Sequence, residues 1–205
     1  ILRVPWGMDL ESVDWLSADR MILGGEYPMR GKAAVMLAEW DGERAKVVRV
    51  WPSGKGGLKE AVEPNHGFEG ICANADLIAV ASETRIPTDE GMVAPIYLIR
   101  REGLDWHRPV VDETLYLPLP EHTAFSAMHC GAGGQLSMIV RGRAEGESYR
   151  ALMRYTLGEA QVEIFELGER VDPYNLEGLV ADESGWWAVS DAEEGRAALV
   201  RMRLR

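Results

Sequence analysis

Short apolar runs separated by turn residues succeed one another along this chain, and none keeps the spacing of a long amphipathic helix. The first group predicts strands at 11–16, 20–26, 33–40 and 46–51. Ser17-Ala18-Asp19 supplies the first turn, and Asp41-Gly42 is a hairpin dipeptide between the last two. The same order then recurs. Strands are expected at 69–73, 76–83, 95–101 and 109–119, and again at 125–130, 135–141, 149–157 and 161–167. A last group holds three, at 177–181, 186–191 and 197–204.

Each group opens on one phrase. Asp9-Leu10-Glu11-Ser12-Val13, Gly67-Phe68-Glu69-Gly70-Ile71 and Asn175-Leu176-Glu177-Gly178-Leu179 are near-copies, and Phe125-Ser126-Ala127-Met128 is a degenerate one. Their centres at 11, 69, 125 and 177 give spacings of 58, 56 and 52 residues. A period of about 40 residues or more, made of short strands, marks a β-propeller. The chain is therefore expected to be one all-β domain over 1–205, a β-propeller of about four four-stranded blades. The fourth group lacks a strand, and residues 1–5 are expected to complete it as an outer strand that closes the ring. The alternative places 1–5 in a blade encoded upstream.

The repeated acids carry the candidate chemistry. Residues equidistant from a hairpin turn stand side by side, so Glu11 is expected beside Glu26, Glu69 beside Glu83, and Glu177 beside Asp191. The innermost strand of a blade begins at the rim of the central channel, which would gather the three pairs at one mouth. In the third copy Phe125 takes the place of the first acid and Arg141 that of the second. Six carboxylates repel one another, and something must compensate. Ca²⁺, which takes six to eight oxygen ligands, is one candidate. Arginine is another, and one follows each hairpin, at Arg30, Arg85, Arg143 and Arg196. A structural reading has the glutamates cap backbone amides of the adjacent blade, with the following Gly or Ser allowing close approach. A directly catalytic reading stands beside these.

Of the histidines, His66 and His122 precede inner strands near the same mouth, and His66 is a candidate proton shuttle. His107 lies in a hairpin loop, and His129 is expected to be a satisfied interior residue. Gly54-Lys55-Gly56-Gly57 lacks the spacing of a phosphate-binding loop. The chain has no G-x-S-x-G elbow, which excludes a serine hydrolase of the α/β type.

A net charge of −11 argues against nucleic acid or an anionic membrane surface as partner. No apolar run is long enough for a membrane helix. Cys72 and Cys130 each follow a repeat centre and fall on neighbouring inner strands. A disulfide between them is feasible, but two buried reduced thiols are the commoner arrangement.

Asn65-His66-Gly67-Phe68-Glu69-Gly70-Ile71, followed by Ala79-Val80-Ala81-Ser82-Glu83, resembles the signature of the esterase-like phytase family. Asn175-Leu176-Glu177-Gly178-Leu179 with Val189-Ser190-Asp191 resembles its late motif, and Met138-Ile139-Val140-Arg141-Gly142 its arginine segment. Asp9-Leu10-Glu11-Ser12-Val13 is similar to the early repeat. The resemblance runs from about residue 9 to 204. It implies a propeller, an exported bacterial protein found in the periplasm or secreted, and phosphoester or ester hydrolysis. Family members are usually longer, with a further N-terminal blade.

Two classes of function follow. As a metal-assisted phosphoesterase, the chain would use Glu11, Glu26, Glu69, Glu83, Glu177 and Asp191 to hold Ca²⁺. Arg141 and Arg85 would orient a small-molecule phosphoester, with His66 moving a proton. A lactone or sugar-acid hydrolase would use the same acids. As a non-catalytic binding module, the chain would present loops such as 84–93 to a protein or glycan.

Overall fold

The computed structural model describes residues 2–3, 8–27, 32–58, 67–144, 147–168, 171, 175–183, 185–191 and 197–202. Nearly all of them lie in strands or the turns between strands. The first sheet contains β1 (Leu2–Arg3), β2 (Asp9–Ser17), β3 (Arg20–Tyr27), β4 (Lys32–Trp40) and β5 (Ala45–Pro52). Their order is β1-β5-β4-β3-β2, so β2 is innermost. The second sheet contains β6 (Gly70–Ala73), β7 (Leu77–Ala81), β8 (Ile86–Thr88), β9 (Gly91–Arg100) and β10 (Glu113–Leu119). The third is β11 (Thr123–Cys130), β12 (Gln135–Ala144), β13 (Glu147–Thr156) and β14 (Val162–Glu166), in that order. The fourth is β15 (Asn175–Asp182), β16 (Gly185–Asp191) and β17 (Ala198–Met202).

The innermost strands pack around a common axis: β2 against β6, β6 against β11, β11 against β15, and β15 against β2. That arrangement is a four-bladed β-propeller. Central strands are sandwiched between neighbouring blades, so both of their faces are apolar. Ile22, Leu23, Val35 and Met36 are all fully buried although they alternate in side. Ile22, Val35, Phe68, Ile71 and Tyr97 fill the seam between the first and second blades. Ala79, Leu98, Phe125 and Met138 fill the next, and Ile139, Leu152, Leu176 and Ala188 the third.

Three expectations are corrected. The N-terminal strand does not complete the last blade: β1 pairs in parallel with β5, Leu2 opposite Ala45 and Arg3 opposite Lys46. The outer edge of the first blade is the free edge it covers, and β15–β17 form a three-stranded blade among the described residues. Segment 84–93 is not wholly a loop. β8 folds back on the start of β9, with Ile86 opposite Val93 and Thr88 opposite Gly91. Thr88 Oγ1 donates to the Gly91 carbonyl at 2.8 Å, which closes the tight turn. Finally, Cys72 and Cys130 are bonded, with Cα atoms 5.3 Å apart. They sit on β6 and β11, whose close packing brings the two side chains within bonding reach.

Candidate functional site

The acids reach the channel mouth through bulges. Leu10 pairs with Gly25 and Ser12 with Gly24, leaving Glu11 as an extra residue. Leu176 pairs with Ser190 and Gly178 with Val189, leaving Glu177 extra in the same way. An extra residue leaves the alternation of its strand and its side chain is re-aimed. Glu11 is therefore not the direct partner of Glu26; Asp9 is. Asn175, not Glu177, stands opposite Asp191. In the second blade the Glu83 amide donates to the Gly67 carbonyl at 3.2 Å, again two residues before the acid.

The third blade has its bulge at Ser126, between the pairs Phe125–Val140 and Ala127–Ile139. Phe125 is thus the equivalent of Leu10, Phe68 and Leu176, and it is buried in the core as Phe68 and Leu176 are. The residue that replaces the first acid is Ser126, not Phe125. An apolar residue could not occupy the mouth position while filling the seam. Arg141 does occupy the second position, opposite Ala124.

Glutamates from different blades meet around Gly67. A Cβ on that glycine would lie 3.3 Å from Glu69 Oε1, 3.4 Å from Glu26 Cβ and 3.5 Å from Glu11 Cγ. Burial and crowding hold Glu11 and Glu69 toward their neutral forms. Burial, then the charges of Asp9, Glu26, Glu177 and Glu83, push the Glu11 carboxyl up to about 7. Burial, then Glu11 and Glu83, push Glu69 up to about 8, against the opposing pull of Arg141. Arg141 also answers Glu177: its Nη2 lies 3.6 Å from Glu177 Oε1. Asn175 joins the two, accepting from Arg141 Nη1 and donating to Glu177 Oε1 at 2.6 Å. Asp191 ends β16, its side chain outside the described residues, as are His66, Arg30 and Arg196.

Ties between blades are made by other residues nearby. Ser12 Oγ donates to the Phe68 carbonyl at 3.1 Å, and Ser126 Oγ to the Leu176 carbonyl at 2.7 Å. Among the described residues, Asp14 caps a neighbouring blade's amide, accepting from Ala73 N at 2.8 Å. At Gly70 a Cβ would lie 3.0 Å from Met128 Cβ, so the position after Glu69 is reserved for close approach of the second and third blades. His129 is half-buried: burial holds it below its ordinary pKa, and its ring meets Trp186 edge-on at 5.8 Å.

An open cleft of about 870 Å³ adjoins the acids. Arg85, Arg141, Arg143, Arg150, His122 and Glu83 line it. Of these six, Arg150 alone was not singled out in the sequence; His122 was expected near the mouth and Arg143 after its hairpin. The register of the β12–β13 hairpin was the signal for Arg150, since it places that residue opposite Arg141.

The oxygen-rich mouth suits a hard cation in its donor chemistry. Among the described residues, however, no three His, Cys, Asp or Glu side chains converge on a single point as ligands. No helix among the described residues is long and apolar enough to cross a membrane. The chain matches no protein-family model, and no curated protein matches it in sequence.

Proposed function

We propose that this propeller is a hydrolase related to the esterase-like phytases, acting on a small phosphoester or ester at the acidic mouth. One observation carries the reading. Two crowded glutamates, Glu11 and Glu69, have carboxyls near 7 and 8, and Arg141, whose charge acts on Glu69, lines the open cleft that adjoins them. At neutral pH Glu69 is mostly protonated and suits a general acid; Glu11 is half ionised and suits a base that draws a proton from water. Arg141 and Arg85 orient the anionic group of the substrate. Ca²⁺, held by Glu26, Glu83 and Glu177, would supply charge neutralisation and polarise a phosphoryl or carbonyl oxygen. The Cys72–Cys130 bond supports an exported location.

The test is hydrolysis of p-nitrophenyl phosphate and p-nitrophenyl acetate, with and without Ca²⁺, by the wild type and Glu69→Gln. The reading expects turnover of at least one ester and a loss of about 100-fold or more in the variant. Absent turnover, or full activity in Glu69→Gln, rejects it.

The alternative is a non-catalytic binding module. It is favoured by the engagement of Arg141 with Glu177 and Asn175, which occupies part of that guanidinium without a ligand. On this reading the β8–β9 hairpin, exposed at its tip, is the surface offered to a protein partner.

A further inference from the structure

The third blade gathers positive charge where the others gather negative. Register sets Arg141 directly opposite Arg150 on β13, and Arg143 lies two residues along the same face of β12. Like charges opposite one another on neighbouring strands repel. Arg85 joins them from the link between β7 and β8, so four guanidiniums line one cleft in a chain of net charge −11. Asn175 and Glu177 engage Arg141, and the Ser148 hydroxyl accepts from Arg150.

The rim is conformationally costly. His122, at φ 58°, is the one non-glycine residue at positive φ among the described residues. Its carbonyl accepts from Arg143 N at 3.1 Å. Gly142, at φ 149°, leaves no room for a Cβ, which would fall 2.2 Å from that carbonyl. The backbone thus keeps an unfavourable turn where Arg143 leaves the strand pair. Strained residues of this kind cluster at ligand sites.

We propose that this cleft binds a small molecule through an oxyanion head group, carboxylate or phosphate, clamped between the Arg141 and Arg150 guanidiniums and flanked by Arg143 and Arg85. The planar guanidinium fork matches both kinds of oxyanion. A volume of about 870 Å³ exceeds what the head group needs and falls within the range of small-molecule sites, leaving space for the ligand's body toward Glu83. This binding requires no turnover, so it stands or falls separately from the hydrolytic reading.

Titration calorimetry at fixed ionic strength tests it, with inorganic phosphate in one arm and succinate in the other. Saturable one-to-one binding in at least one arm is expected, and the arm that responds identifies the oxyanion. Arg143→Gln/Arg150→Gln should weaken it by tenfold or more. Arg20→Gln/Arg49→Gln, which changes the same charge at a different pocket, should leave it within twofold. No saturable heat in either arm overturns the proposal. So does equal weakening by both double variants, which marks a generic charge effect. Should the first double variant fail to melt cooperatively, Arg85→Gln carries the same expectation and the same refutation. Ligand binding without ester hydrolysis would reject the proposed activity and keep the cleft; hydrolysis with binding untouched by these variants would do the reverse.

Discussion

Removing the Cys72–Cys130 bond tests the fold where the second and third blades meet. The bond closes a loop of 58 residues in sequence. In the chain-entropy picture, a closed loop of that size removes about 14 cal/mol/K from the unfolded ensemble, or about 4 kcal/mol at 25 °C. The unfolding entropy of a chain this long is roughly 0.4 kcal/mol/K, so the expected fall in Tm is about 10 °C. Both sulfurs lie in the core between the blades, Cys72 fully buried and Cys130 at 7% exposure. Cys72→Ala/Cys130→Ala therefore adds a small packing loss to the entropic one. The assay is urea unfolding of the wild type and the double variant, each with and without reductant. Reduced wild type should fall toward the variant, and the variant should ignore the reductant. Two titratable thiols in unreduced, unfolded wild type would refute the bond. A midpoint unchanged in the variant would refute the stabilisation.

Other consequences are quicker to check. Glu11 and Glu69 have folded pKa values above the ordinary 4.5, at about 7 and 8, so the folded state binds more protons than the unfolded across that window. Their contribution is favourable below about 4.5 and is lost as pH rises toward 8. Urea midpoints should fall between pH 5.5 and 8.5, and Glu69→Gln should flatten the slope; an unchanged slope contradicts the crowding. If Ca²⁺ occupies the mouth, chelator-stripped protein should show a saturable Tm rise that Glu69→Gln abolishes, equivalent to about 2.7 kcal/mol at a hundred times Kd. A flat titration would remove the metal from the proposal. Ser126→Ala breaks the buried 2.7 Å bond to the Leu176 carbonyl and should cost about 1 kcal/mol in denaturant unfolding. No loss would mean that the carbonyl finds another donor.

Strand positions were legible because each blade repeats the same apolar runs and turn residues. The 33–40 and 135–141 predictions fall within β4 and β12, for example. What alternation cannot reveal is a residue that breaks it. Nothing in Leu10-Glu11-Ser12 announces a bulge, so the pairing of Glu11 with Glu26 read from turn distance was displaced by two residues. The same blindness put Phe125 where Ser126 belongs. Partner choice was equally hidden: the short β1 segment carries no mark that directs it to β5 in place of the last blade. Cys72 and Cys130 were correctly placed on adjacent inner strands, but whether they bond depends on an approach between β6 and β11 that spacing does not encode. The cleft was half visible. Arg85 and Arg143 follow their hairpins, Arg141 stands in place of an acid and His122 precedes an inner strand, whereas Arg150 acquires meaning only through cross-strand register.

The bulges at Glu11, Ser126 and Glu177 have a consequence for how such a protein changes over time. Each stands outside the inside–outside alternation of its strand, so exchanging its side chain leaves the interleaved core registers alone. Serine in place of glutamate in the third blade is an instance already present. The rim can be rewritten one blade at a time, acid to hydroxyl to base, while the seams that hold the ring keep their sequence. Where the bulge residue is not itself a tie between blades, as Ser126 is, such a scaffold separates what its rim presents from what keeps it folded.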